Sequence, residues 1–319
     1  MPAPRLVLLL SLAAFHLNAA GWQEDFSSNP AERGWRVFGD PSLFSWNATA
    51  HHLDVTWNTE QTNSFFHHPL GTILAKNDDF EVAFDLRLDS VEAIGLPGKR
   101  YAFEIAVGLL NLTQATATNF FRGDGVSSPN LVEFDYFPDT GFGDTVSPAV
   151  VSGNSVFRPA FIFPYELPPA DWHRIVMRYS AGTESLLVAV TNRTTLAGTN
   201  KSIVLGAGFG DFRIDTIAIS SYADHTTNGH LLVQGAVDNF TVTLPDPPVM
   251  NLAGSFVTGE WQAEFLSRTN WLYSLERTTN FVTWSAAAIP TNGNGGSLIL
   301  ADTNAATASA FYRVHAERP

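Results

Sequence analysis

Apolar residues recur at every second position in stretch after stretch of this chain. Phe80-Glu81-Val82-Ala83-Phe84-Asp85-Leu86-Arg87-Leu88 alternates apolar with mostly polar side chains. That is the period of a half-buried antiparallel strand and not of a helix. The pattern returns at residues 101–107, 172–179, 185–190, 213–219 and 236–244. Turn-forming clusters separate these stretches, among them Gly95-Leu96-Pro97-Gly98 and residues 192–200, and no segment sustains a helical period. With 24 Phe to fill an interior, the pattern predicts an all-β fold: a two-sheet sandwich of jelly-roll type.

One strand carries chemistry as well as pattern. In Leu131-Val132-Glu133-Phe134-Asp135-Tyr136-Phe137, the residues Val132, Phe134 and Tyr136 face one side, and Glu133 and Asp135 share the other. Two carboxylates at i and i+2 stand roughly 6–7 Å apart along a strand. Pro138 then breaks the run, and Asp139, Gly141, Gly143 and Asp144 form a loop that can fold back. Four acidic side chains within so short a stretch, in a chain with no cysteine, are oxygen donors suited to a hard cation such as calcium. The bland alternative is a solvated strand and turn, with Glu133 and Asp135 keeping one sheet face wet.

These residues resemble the metal-binding strand of legume-type (L-type) lectins, which reads V-E-F/L-D-T-Y/F-x-N and runs into a Gly-Asp loop. The resemblance implies a concanavalin A-like jelly roll in which Asp135, the backbone carbonyl of Phe137, Asp139 and Asp144 ligate calcium. It also implies that Glu133, Asp135 and Asp144 hold a neighbouring transition metal. The histidine that the family adds to that second site falls near Ala149, which cannot coordinate. The implied ligand is a glycan or polysaccharide; in the acidic loop Asp139 is a candidate polar contact for it and Phe142 a candidate aromatic platform. The hairpin at residues 172–190 and the segment Val237-Asp238-Asn239-Phe240-Thr241-Val242 resemble pieces of laminin-G-like and lectin-like sandwiches. The latter is the closing strand, expected beside Glu24-Asp25-Phe26.

Residues 1–20 combine Arg5, an apolar run from Leu6 to Phe15 and a small-residue end at Asn18-Ala19-Ala20, the layout of a secretory signal peptide. The expected location is therefore outside the cytoplasm: secreted, periplasmic or at the cell surface. Without Arg5, 17 basic residues face 31 acidic ones, a formal charge of −14. Such a surface disfavours nucleic acid and anionic membranes but accepts a neutral polysaccharide. Leu244-Pro245-Asp246-Pro247-Pro248 reads as a stiff linker, so the sandwich is expected over residues 21–244, the linker over 245–248 and a small β module over 249–319. In that module strands are expected at 256–265, 271–277, 281–284, 297–300 and 310–314. Its letters resemble a β module recurring at the C-termini of large exported bacterial proteins.

Two other functions compete. Retaining glycoside hydrolases need two carboxyls about 5–5.5 Å apart, and the laminarinase-like strand E-x-D-x-(x)-E would use Glu133 and Asp135. The third acid of that pattern is replaced here by Phe137 or Pro138, which leaves the acid/base role empty. The other alternative is a structural exported protein without ligand. Arg122-Gly123-Asp124 spells a familiar adhesion tripeptide, too short to weigh. Adjacent histidines at 51–52 and 67–68 point to opposite faces of a strand and do not chelate together.

Overall fold

A computed structural model describes residues 21–95, 105–122, 128–138, 143–224, 229–305 and 310–319. Among the described residues, sixteen strands form two antiparallel sheets. The first runs β14 (Gly198–Val204), β13 (Ser185–Asn192), β12 (Trp172–Ser180), β6 (Phe80–Gly95), β16 (Gly229–Thr243), β4 (His52–Asn58), β3 (Phe44–Asn47), with β1 (Gly21–Glu24) also on β16. The second runs β11 (Phe157–Pro159), β10 (Ala149–Val151), β8 (Leu131–Phe137), β7 (Ile105–Leu110), β15 (Ile214–Ser221), β5 (Ser64–Leu74), β2 (Arg36–Phe38), with β9 (Thr145–Val146) on β8. This is the expected two-sheet jelly roll. Among the described residues no helix is long and apolar enough to cross a membrane.

Alternation explains the interior. Phe84, Leu86, Val132, Phe134, Tyr136, Ile175, Met177, Val188, Ile219 and Val237 point between the sheets and are buried together. The closing strand does pair with the opening one, but over Gly21–Glu24: Glu24 lies opposite Phe240. Phe26 has left the ladder, with φ at +49°, and is buried against Trp35, Phe66 and Phe240.

The C-terminal residues build a separate small core around Phe265, Trp271, Tyr273, Leu275 and Leu300. One sheet contains β17 (Val249–Val257), β18 (Glu260–Ser267) and β22 (Ser297–Asp302). The other contains β19 (Leu272–Thr278), β20 (Ser285–Ala286), β21 (Thr291–Asn292) and β23 (Phe311–Glu317). Two expectations need correction here. The single strand at 256–265 is a hairpin, turned at Thr258 and Gly259, both at positive φ, the signature of a two-residue primed turn. The strand at 281–284 is a turn instead, because the Asn280 side chain accepts hydrogen bonds from the backbone N–H groups of Val282 and Thr283 and competes with any ladder.

The two cores are joined by more than the proline-rich segment. Asp78, 2% exposed, accepts from the Ala75 backbone N–H at 2.9 Å and from Arg268 Nη2 at 2.6 Å, and also binds Arg318 Nη1. One sandwich carboxylate thus holds two arginines of the C-terminal part. Arg268 Nη1 donates further to the Asp246 carbonyl at 2.8 Å. Removing the acid strands two cations, one of them buried, at a cost of about 3–5 kcal/mol. Asp78→Ala is expected to split off a separate, lower-temperature transition for the C-terminal part in scanning calorimetry, and wild type is expected to melt as one unit.

Candidate functional site

Glu133 and Asp135 occupy the face of the second sheet turned away from the main core, as alternation demands, but that face is not wet. Both residues are fully buried, which corrects the solvated-face expectation. Their register neighbours explain how they fit. Glu133 lies opposite Gly108 on one side and Ala149 on the other, and Asp135 lies opposite Ala106. Ala218 and Ser220 flank the row on β15. This small-residue floor leaves a trough for two acidic side chains. A Cβ on Gly108 would meet the Val132 carbonyl oxygen at 2.4 Å and Glu133 Cα at 2.7 Å, so no larger residue is accommodated there without moving β8.

Over the trough lies a roof. Phe120, Tyr222 and Phe65 form an apolar cluster with Leu110, Leu131 and Val151. Tyr222 stands edge-on to Phe65 at 5.7 Å and tilted against Phe120 at 6.0 Å. Between roof and floor sits Arg122, 4% exposed. Its Nε donates to Glu133 Oε2 at 3.0 Å and its Nη2 to Asp135 Oδ2 at 2.6 Å. Phe157 carries the guanidinium on its ring at 5.5 Å. The Tyr222 hydroxyl donates to Glu133 Oε1, and burial, then the Glu133 charge, pushes the Tyr222 pKa well above its ordinary value. The phenol therefore keeps its proton, and its donor role, at any pH at which the protein is normally handled.

These contacts bear on the cation expected from sequence. Glu133 and Asp135 already face one guanidinium, and a divalent cation placed between them would be forced against that charge. Ala149, opposite Glu133, supplies no donor. The described members of the donor set therefore do not fit the calcium and transition-metal pair that the lectin resemblance implies. Among the described residues, no three of His, Cys, Asp and Glu assemble as a metal-binding group. Phe137 pairs with Thr145 at the end of β8, and the Asp144 carbonyl accepts from the Tyr165 N–H at 2.8 Å. Asp139 and Phe142 lie outside the described residues, as do Gly123 and Asp124. Arg122, buried in the trough, is not available as part of an adhesion tripeptide.

One end of this sheet gathers many chain segments. The start of β7, the end of β8, the start of β10, the end of β15 and the start of β5 all meet there. Residues 160–167 run along that rim as a strap. Ile162 exchanges two backbone hydrogen bonds with Val146 (3.1 and 2.9 Å), Ala160 N–H donates to Pro148, and Leu167 N–H donates to the Tyr136 hydroxyl at 3.1 Å. Ile162 packs on the main core. Its neighbours Phe161 and Phe163 are 50% and 58% exposed. Sequence reasoning missed this pair because residues 160–167 have no full strand pattern, although two Phe spaced by one residue was a usable signal.

A second polar cluster lies on the outer face of the first sheet. Asp85, side chain 1% exposed, binds Arg174 and Arg193 and accepts from Asn239 Nδ2 at 2.9 Å. Directly opposite it in register is Asp238. Burial pushes the Asp238 carboxyl up to about 6, against the hydrogen bond from the Asn239 backbone N–H, with the Asp85 and Asp25 charges adding. The ionised form thus costs the native state free energy, present above pH 6 and relieved as pH falls toward 3.8. Asp238→Asn is expected to stabilise the protein at pH 7 by about 1 kcal/mol after solvent screening is allowed for. In urea unfolding the gain should shrink through pH 6 and vanish near pH 4.

No protein-family model matches the chain, and no curated protein does. Among solved structures it is similar to peanut lectin in complex with a nine-residue peptide (16% identity, TM-score 0.45) and to lectin II from Ulex europaeus (14%, TM-score 0.49). Each alignment covers 72% of this chain and 100% of the lectin. It is also similar to the metal-free form of lectin I-B4 from Griffonia simplicifolia (12%, TM-score 0.43), over 69% of this chain and 99% of that one. At such identities the likeness extends to no side chain and to no ligand.

Proposed function

We propose that the protein is a non-catalytic glycan-binding protein, exported by its N-terminal segment, that receives a neutral polysaccharide on the rim formed by residues 143–148 and 160–167. The observation that supports this is the pair Phe161 and Phe163. Two large aromatic side chains stand half exposed or more on a strap tied to the sandwich by backbone hydrogen bonds. Residues two apart on an extended strap share a side and lie roughly 6–7 Å from each other, a spacing on which neighbouring pyranose rings can stack. Aromatic faces supply the apolar part of such a site, and the polar groups around it fix orientation. The acidic surface, at −13 for the whole chain, repels anionic glycans and leaves neutral ones.

The burial of the acidic pair weighs against the hydrolase alternative. Glu133 and Asp135 are buried beneath Arg122 and Tyr222, where neither can reach a glycosidic carbon as nucleophile or proton donor.

The mature protein is expected to bind members of a neutral-glycan array. Phe161→Ala and Phe163→Ala are each expected to weaken that binding about tenfold, or about 1.4 kcal/mol, while the melting temperature stays within a degree or two, because both side chains are exposed. An array blank across neutral glycans defeats the proposal. A double variant binding like wild type would move the site elsewhere.

A further inference from the structure

The two buried carboxylates need a cation, and the chain contains one. We propose that Arg122 is a built-in counter-ion that takes, permanently and without metal, the place a bound cation would take beside the Glu133–Asp135 pair: it offsets one of the two negative charges, bridges both acids and fixes the adjoining rim. Its guanidinium is a planar fork, and it spans the two acids with separate nitrogens, Nε to Glu133 at 3.0 Å and Nη2 to Asp135 at 2.6 Å. Lysine offers no such geometry. The second oxygen of Glu133 accepts a hydrogen bond from the Tyr222 hydroxyl, and the guanidinium face rests on Phe157.

The surroundings are arranged for that occupant. Gly108 and Ala149 keep the flanks of Glu133 low, and the side chains of Glu133, Asp135 and Arg122 are 0%, 1% and 4% exposed. Arg122 is thereby a positioning residue: through β8 it acts on the strand end where Phe137 pairs with Thr145 and on the strap hydrogen-bonded to Asp144, Val146 and Pro148. The inference stands apart from glycan binding, since its test uses no glycan.

Purified protein is melted with excess calcium and with chelator. The expected result is the same melting temperature in both, because a ligand stabilises only what it binds in the folded form. A rise of several degrees with calcium would overturn the proposal. Arg122→Met is expected to melt about 10 °C lower and to become calcium-responsive, because the two carboxylates then lack the guanidinium between them and the site attracts a divalent ion. A variant that melts like wild type, or that ignores calcium, also overturns it. Where Arg122→Met gives no soluble protein, the neutral combination Arg122→Met, Glu133→Gln, Asp135→Asn is expected to restore folding with no response to chelator. If it does not, charge matching is not what Arg122 supplies.

Discussion

Two carboxylates buried side by side set the terms for one whole face of this sandwich. Taking a carboxylate out of water costs several kcal/mol even after the protein relaxes, and the cost returns only if a partner of opposite charge sits in good geometry with further hydrogen bonds. Strand alternation places Glu133 and Asp135 on the same side of β8, and the Phe120–Tyr222–Phe65 cluster then closes that side. Once the roof is in place, the segment leading from α1 (Leu112–Ala115) must deliver a cation to the trough, and it does so with Arg122. The small residues at 106, 108, 149 and 218 follow from the same demand, because a bulky side chain at any of them would occupy the space that the ion pair fills.

The main features of the fold were legible because they rest on period two. The long strands, the hairpin from β12 to β13 and the two-sheet arrangement all follow from alternating apolar residues punctuated by Gly, Pro and Asn. Period two, however, says which residues share a face and never whether that face is covered. Alternation puts Glu133 and Asp135 on the right side; of the environments open to them, the solvated face is the one that their burial excludes. The missing information was non-local: Phe120 and Tyr222 come from segments about a hundred residues apart in sequence. A local signal did exist in Ala106-Val107-Gly108, where alternate tiny residues on a strand mark a floor beneath something large. Arg122, the first letter of an adhesion tripeptide, carries no local sign in the sequence of the two acids it binds.

The errors in the C-terminal part have a different cause. Thr258-Gly259 between two apolar runs carries the turn chemistry of a hairpin, so that division could have been made from sequence. Residues 281–284 look like a strand by composition, and only the side chain of Asn280, folding onto two backbone N–H groups, turns them into a loop. Docking of this part on the sandwich was not legible either. It depends on Asp78, one of two adjacent acids in a turn, being reached by Arg268 and Arg318, which lie 190 and 240 residues away. Charges in turns look alike in sequence until their partners are placed.

A counter-ion supplied by a side chain changes what the neighbouring surface can respond to. A loop ordered by a bound ion is ordered only to the extent that the ion is present, so its preorganisation rises and falls with concentration. An arginine built into the fold has no such dependence. Its contribution is fixed when the chain folds, and the strand end and strap beside it start from the same geometry whatever the surrounding medium contains. Preorganisation of that kind reduces the ordering cost a ligand must overcome on arrival. The exchange carries a constraint as well: an ion pair sealed under Phe120 and Tyr222 cannot be released and reloaded, so the rim above it is a permanent surface and not a switch.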